Sequence, residues 1–395
     1  VSFKEFFHTM RHTGTYTPST ALGEAIQAFV PLPLPPSAPV LALECFTAGN
    51  RAAELALARL SGVSGLVPSM DWLLYSAVRK EALLTSQIEG TQATLIDLFD
   101  EEAGFAIGNT DDVEEVTNYL RAFRLVQGNL RDPAGLPISV RLLCEAHRLL
   151  LNGARGSGKQ PGELRRSQNW IGGTRPCNAT FVPPPAERVA DLLADVERFI
   201  HAESVATPAP ALPPLVKIAL VHAQFETIHP FLDGNGRIGR LLIAALMEYW
   251  RLLPEPLMYL SGYLKQHQST YYQQLSAIRT QGDWEGWVSF FLEGVAAAAS
   301  EAERGIVAIA SLIAADRRRL LASPKAGPAS YRLFEALPMM PRFTIEMARQ
   351  ALNTSFPTAN AAVKLLEDLR IVCELTGQKK NRSYSYQAYI ELMAH

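Results

Sequence analysis

Residues 229–240, HPFLDGNGRIGR, hold most of the chemistry that this chain offers in one loop. His229 is a side chain that takes a proton near neutral pH. Asp233 is a hard oxygen ligand of the kind Mg2+ uses beside a polyphosphate. Gly234, Asn235 and Gly236 form a turn that leads into an apolar helical stretch at 241–250. Such a turn leaves N–H groups pointing out of a helix N-terminus, where the helix dipole favours an anion. Arg237 and Arg240 add guanidinium forks that match phosphate oxygens. A plain capping loop would need neither the acid nor the two arginines. The combination points to phosphoryl or nucleotidyl transfer.

The elements that must position this loop are mostly helical. From about Leu41 the apolar spacing has a helical period. It predicts helices over 41–60, 69–88, 92–102, 112–130, 138–152, 186–203, 212–227, 235–251, 262–280, 283–298 and 300–322. Gly, Pro and Asn punctuate 169–185, where two short β-prone pieces predict a small hairpin. Residues 1–40 are turn-rich and end in the proline run 31–36. That composition predicts an extended arm, laid over the body or reaching to a partner.

Residues 320–328, LLASPKAGP, predict a linker, beyond which about 70 residues form a unit of their own. Helices are expected at 330–337, 343–352 (with Thr344 as N-cap) and 357–369, then strands near 371–375 and 383–387 around a basic tip at 377–382. Eight basic residues there face six acidic ones. Lys364 is the one interior basic residue of the third of these helices, although Ser355, Thr358 and Asn360 open it. Duplex DNA demands several neutralised phosphates, so protein docking or packing fits this charge pattern better.

With 395 residues, 48% hydrophobic and 19% charged, the chain suits two or three globular domains. Its 37 basic and 39 acidic residues give a net charge of −2, so no global field draws it to nucleic acid or membrane. Cys45, Cys144, Cys177 and Cys373 lack pairing or metal spacing, which fits reduced thiols. No run reads as a signal core or a membrane span, so a cytoplasmic protein is expected. His8, His12, His147, His201, His222, His267 and His395 show no zinc-ligand spacing and are expected at the surface or satisfied in the core.

The pattern H-x-F-x-D-G-N-G-R-x-x-R at 229–240 resembles the signature of Fic-domain proteins, a family that mostly transfers AMP from ATP to a hydroxyl of a target protein. The resemblance implies His229 as general base and Asp233 as the Mg2+ ligand. Gly234, Asn235, Gly236 and Arg237 would hold ATP phosphates, and Arg240 the γ-phosphate, while Phe231 packs inward. Tyr263 and Gln266, at i, i+3, would face the adenine, with Tyr271 and Tyr272 as packing residues. Asn178, Ala179, Thr180, Phe181 and Val182 would form the exposed edge of a flap that pairs with an extended segment of the target. The rival reading makes that hairpin a core cover, with Phe181 as packing.

Upstream, TSQIEG at 85–90 matches the family's inhibitory pattern through Thr85, Glu89 and Gly90. Alone it is an ordinary helix stop. Beside the 229–240 loop it offers an opposite charge: Glu89 set against Arg240 would neutralise the guanidinium meant for the γ-phosphate. The implied architecture is mainly α: an arm and inhibitory-helix region at 1–110, a Fic-type helical core with a β-hairpin flap at 111–322, and a winged helix-turn-helix domain at 327–395. Relatives of this architecture often form dimers. Three rivals stand beside AMP transfer. One is transfer of another phosphate-containing group. Another is a regulator that binds DNA or protein through its C-terminal domain. The third is a toxin, which the built-in brake argues against.

Overall fold

Helical periodicity becomes helix along most of the chain in the computed structural model, which describes residues 11–153, 157–202 and 211–394. The helices of the first half are α1 (Thr47–Val63), α2 (Met70–Ile88), α3 (Leu95–Glu102), α4 (Thr110–Arg131) and α5 (Val140–Leu150). Then come α6 (Val189–His201), α7 (Pro214–Ile228), α8 (Asn235–Tyr249), α9 (Leu260–Gln266), α10 (Gln268–Gln281) and α11 (Trp284–Ala322). Residues 283–322, expected as two helices, form one. The stretch around Ala296–Ala299 contains only strong helix formers, so nothing there breaks the chain.

The N-terminal arm is a correction. Instead of an extended path, β1 (Gly14–Ala21) and β2 (Glu24–Pro31) pair as an antiparallel hairpin, from Gly14 opposite Pro31 to Ala21 opposite Glu24. Its two-residue turn, Leu22-Gly23, has positive φ at both positions (49° and 80°), the geometry that suits the right-handed twist of paired strands. Leucine at the first turn position hid it, because Asn or Gly is the usual signal there.

Two compact units divide the chain. The first comprises residues 1–58, 118–254 and 260–298, and the second 59–117, 255–259 and 299–395, with α1, α4 and α11 contributing to both. At the centre of the first unit, α7 is apolar on every side: Leu215, Val216, Ile218, Leu220 and Val221 are all fully buried. α6 and α8 pack against it, and the Trp287 indole donates to the Ala219 carbonyl at 2.8 Å.

The second unit corrects the expected boundary at 320–328. Its C-terminal part runs α12 (Pro328–Ala336), β3 (Arg342–Thr344), α13 (Ile345–Leu352), α14 (Phe356–Asp368), β4 (Cys373–Glu374), β5 (Ser383–Ser385) and α15 (Gln387–Ala394). The three strands form an antiparallel sheet in the order β3-β5-β4. Three helices before two strands match the expected order, and β3 and α15 are additions. This part does not stand alone. α15 packs on α2 and α3, the Tyr386 hydroxyl donates to Asp316 of α11 at 2.7 Å, and Arg342 lies 2.7 Å from Asp100 of α3. Arg382 of the basic tip donates to Asn360 at 3.2 Å, so two residues counted toward a nucleic-acid face engage each other.

Candidate active site

The first unit builds the 229–240 loop between α7 and α8. His229 caps α7 in the left-handed region, φ 50° and ψ 63°. A residue with a Cβ held there costs about 1–3 kcal/mol unless its surroundings impose it. Arg165 supplies that constraint. Its guanidinium donates to the carbonyls of His229 at 2.8 Å, Ile228 at 3.3 Å and Pro184 at 2.5 Å, while its backbone N–H donates to Pro230 at 2.9 Å. Arg165 is only 2% exposed, and burial lowers its guanidinium to about 10, still cationic at neutral pH.

A second imidazole fixes the far side of the loop. His147 of α5 is fully buried; its Nδ1 accepts from Gly162 N–H at 2.9 Å, which leaves the proton on Nε2 to donate to the Asp233 carbonyl at 3.0 Å. Its ring stacks on Phe231 with centroids 3.8 Å apart, and burial lowers its pKa to about 4. Phe231 points inward as expected, 1% exposed. Asn235 also turns out to be a clamp: its side chain accepts from Phe231 N–H and donates to Phe231 O, both at 2.8 Å. Neither Arg165 nor His147 carries a sequence signal of its own; only their carbonyl partners reveal the role.

Gly234 starts α8 at φ 75°, with the Leu150 side chain 3.1 Å from where a Cβ would sit. The first-turn N–H groups of α8 lie beyond the reach of its own carbonyl ladder, and they converge at the helix N-terminus. Beside them the Asp233 side chain is 47% exposed, with an oxygen 3.7 Å from the buried Arg237 guanidinium. Gly239 lets the two helices approach, because a Cβ there would meet the Glu226 carboxylate at 2.2 Å and the Phe225 ring at 3.2 Å. Arg240 is buried, and burial of His222, aided by the Arg240 charge, lowers that imidazole to about 3. His222 is thus a satisfied core histidine, bridging Gly239 O at 3.1 Å and the Tyr271 hydroxyl at 2.8 Å. Among the described residues no group of three or more His, Cys, Asp or Glu could enclose a metal. Asp233 alone suits an ion that completes its shell with phosphate oxygens and water.

Residues 137–247 match the Fic/DOC family, and residues 48–127 match the N-terminal region of that family. The chain carries a Fic domain, preceded by the N-terminal region of the same family. Among curated relatives, the protein adenylyltransferase Fic of Drosophila melanogaster is 30% identical over 183 residues, 46% of this chain and 33% of the relative. The protein adenylyltransferase fic-1 of Caenorhabditis briggsae is 31% identical over 133 residues, 34% of this chain and 24% of the relative. The chain thus spans about a third or less of the relatives' length. A crystal structure of a Fic family protein from Desulfovibrio desulfuricans shares the fold at TM-score 0.52 and 22% identity, covering 85% of this chain and 95% of that one. Fic-1 from C. elegans does so at TM-score 0.50 and 22% identity, covering 67% and 74%.

The remaining expected site residues of this Fic chain fall in three places. Tyr263 packs on His267, with centroids 4.4 Å apart, and on Phe290 at 5.4 Å, whereas Gln266 is exposed. Tyr271 is buried as expected, but Tyr272 is 48% exposed and is no core residue. The flap forms with a single bridge, Ile171 to Phe181, in place of a ladder. Asn178 turns its carboxamide into the flap tip, where the oxygen accepts from Thr174 and Arg175 N–H. Ala179 and Thr180 carry the chain onward, Thr180 N–H donating to Ile171 O at 2.9 Å. Phe181 is buried under the Arg279 guanidinium, and Val182 gives its carbonyl to Phe29 of β2.

In the second unit, Thr85 is fully buried on α2, and Glu89 caps that helix from an exposed position. Gly90 follows at φ 104°, the left-handed stop expected of it. No helix among the described residues is long and apolar enough to cross a membrane.

Proposed function

We propose that this chain is a protein adenylyltransferase that moves AMP from ATP to a Ser, Thr or Tyr hydroxyl of a target protein. The observation that carries this reading is the clamped loop. His147, Arg165 and Asn235 hold the motif histidine, the exposed acid and the α8 N-terminus as one rigid seat. A seat fixed before substrate arrives has little reorganisation left to do in the transition state.

The target hydroxyl attacks the α-phosphorus in line. Its oxygen forms the new bond, the α–β bridging bond breaks, and pyrophosphate leaves. The hydroxyl proton passes to the His229 imidazole, general-base assistance worth about 10²–10⁴ in rate. N–H groups at Gly234, Asn235 and Gly236 receive phosphate oxygens. Arg237 braces the phosphates beside Asp233, and Arg240 meets the γ-phosphate. Asp233 would hold Mg2+, whose charge offsets that of the polyphosphate. Tyr263 and Gln266 are assigned to the adenine side. Glu89 is assigned as the brake: its carboxylate competes with the γ-phosphate for Arg240 and turns the α-phosphate out of line.

The test uses α-labelled and γ-labelled ATP with the wild-type chain, Glu89→Gly and His229→Ala. Label from the α position should stay on protein, rise severalfold or more in Glu89→Gly, and vanish in His229→Ala. Retained γ-label would replace AMP transfer with kinase-like chemistry. Equal labelling of wild type and Glu89→Gly would remove the brake.

A further inference from the structure

The second unit holds a cleft of its own, with about 400 Å³ of empty space, part of it open to solvent. Leu73 and Ala77 of α2, Ala302, Ile306 and Ile309 of α11 and Met393 of α15 make its walls apolar. Along α2 the lining positions 73, 76, 77 and 80 recur at helical spacing, and along α11 so do 302, 305, 306 and 309. Each helix therefore gives one continuous face to the cleft. The room comes from small residues, above all Gly305. Outside its own helix, a Cβ built there would meet nothing nearer than the Tyr259 hydroxyl at 3.8 Å, an ordinary contact. A glycine inside a helix costs about 1 kcal/mol against alanine. Packing within the chain gives no reason for that cost; space kept for another molecule does.

A cation stands in this apolar wall. The Lys80 side chain is only 10% exposed, and its oxygen partner is the half-exposed Glu301 at 3.5 Å. That is longer than a well-formed bond of about 2.7–3.2 Å. The Tyr259 ring lies 4.2 Å from the ammonium, a face that attracts a cation without giving it an oxygen. Burial lowers the Lys80 ammonium from its usual range, and Glu301 restores it only in part. A buried ammonium with donors to spare is costly unless an anion joins it. The Tyr259 hydroxyl borders the same cleft, and burial raises it, so it keeps its proton and donates. The Ser76 hydroxyl is already spent on Leu73 O at 2.9 Å.

We propose that this cleft binds a small carboxylic acid with an apolar body. Its carboxylate sits between Lys80 and the Tyr259 hydroxyl, and its body lies against α2, α11 and α15. Two carboxylate oxygens match two donors, and the ammonium gives a charge-assisted bond. A phosphate dianion brings more charge and more acceptors than one ammonium and one hydroxyl can match, and Glu301 repels the excess. A ligand without a charge leaves the ammonium as it is. The site stands whether or not the adenylyl-transfer reading does.

Calorimetric titration and amide hydrogen exchange on the full chain test this with octanoate and phenylpropionate, one straight-chain and one aromatic acid, below micelle concentration. At least one should bind with a single site and slow exchange along 73–80 and 302–309. Lys80→Met keeps the length of the side chain and removes a buried charge, a change that folding tolerates. It should weaken the acid about tenfold or more, as befits loss of a hydrogen bond to a charged group. Gly305→Leu fills the room and should abolish binding; if that variant does not fold, Lys80→Met decides. No binding of either acid at millimolar concentration, or an affinity unchanged in Lys80→Met, overturns the site. Octanol binding as tightly as octanoate overturns the role of the carboxylate. Octylamine binding more tightly than octanoate gives the head group to Glu301 and overturns it too. Slowed exchange of the same walls on raising protein concentration alone assigns the cleft to a second copy of the chain, which also overturns the proposal.

Discussion

At the residue scale, the motif histidine owes its geometry to two side chains outside the motif. Arg165 reaches three carbonyls at once, which a lysine ammonium on a flexible stem cannot do. Arg165→Lys should therefore cost about 3 kcal/mol of stability by urea titration, in the range for a broken buried charge network. It should lower α-label transfer by about tenfold or more, since small misplacements carry such losses. A variant with wild-type melting and wild-type labelling would remove this role. His147 adds a pH dependence of definite sign. Its folded pKa is about 4 against an ordinary 6.5, so between these values the unfolded chain binds the extra proton. Stability is full above pH 6.5 and falls as pH drops toward 4, by about 3 kcal/mol for this shift alone. His222, lowered to about 3, acts in the same direction. His147→Gln keeps a donor for the Asp233 carbonyl and cannot titrate, so its urea midpoint should vary less over pH 7 to 4.5. A slope equal to wild type would exonerate His147.

At the element scale, legibility followed the strength of local signals. The start of α8 was read at its observed residue because a Gly-Asn-Gly turn followed by an apolar run marks a helix N-terminus from both sides. The motif loop was legible for the same reason: its residue types sit within one stretch of twelve residues. His147 and Arg165 were not, since each acts through the carbonyls of distant residues and a carbonyl has no letter in the sequence. The β1–β2 hairpin was missed because Pro18 interrupts its alternation and Leu22 occupies a left-handed turn position at φ 49°. That leucine is 81% exposed, so it gains nothing from burial and carries the backbone cost unrelieved. Leu22→Asn should stabilise the hairpin by about 0.5–1 kcal/mol, because Asn-Gly is the preferred pair for this turn. Slower amide exchange along 15–30 is the expected readout. Faster exchange would mean that the turn is not held in this geometry.

At the scale of the whole molecule, the C-terminal segment belongs to the same compact unit as α2, which bears Thr85 and is followed by Glu89 and Gly90. The ion pair between Asp100 and Arg342, 2.7 Å apart and each about 15% exposed, joins α3 to β3. Burial raises the Asp100 carboxyl, and Arg342 pulls it back toward the charged form. α3 follows α2 closely, and the turn between them is tied by Gln87 donating to Ala93 O at 2.8 Å and Thr91 N–H to Ser86 O at 3.3 Å. Arg342→Ala would strand a partly buried carboxylate and should cost about 2 kcal/mol. The double variant Asp100→Asn, Arg342→Met removes both charges and should cost less than about 1 kcal/mol, which leaves a coupling of about 1 kcal/mol or more. If the segment and α2 share one cooperative unit, Arg342→Ala also speeds amide exchange across 85–90, and, on the proposed role of Glu89 as a brake, labelling from α-labelled ATP rises toward the Glu89→Gly level. A C-terminal domain hung on a flexible linker predicts the opposite: the Arg342→Ala loss would appear only within 328–394, with exchange at 85–90 and labelling both unmoved.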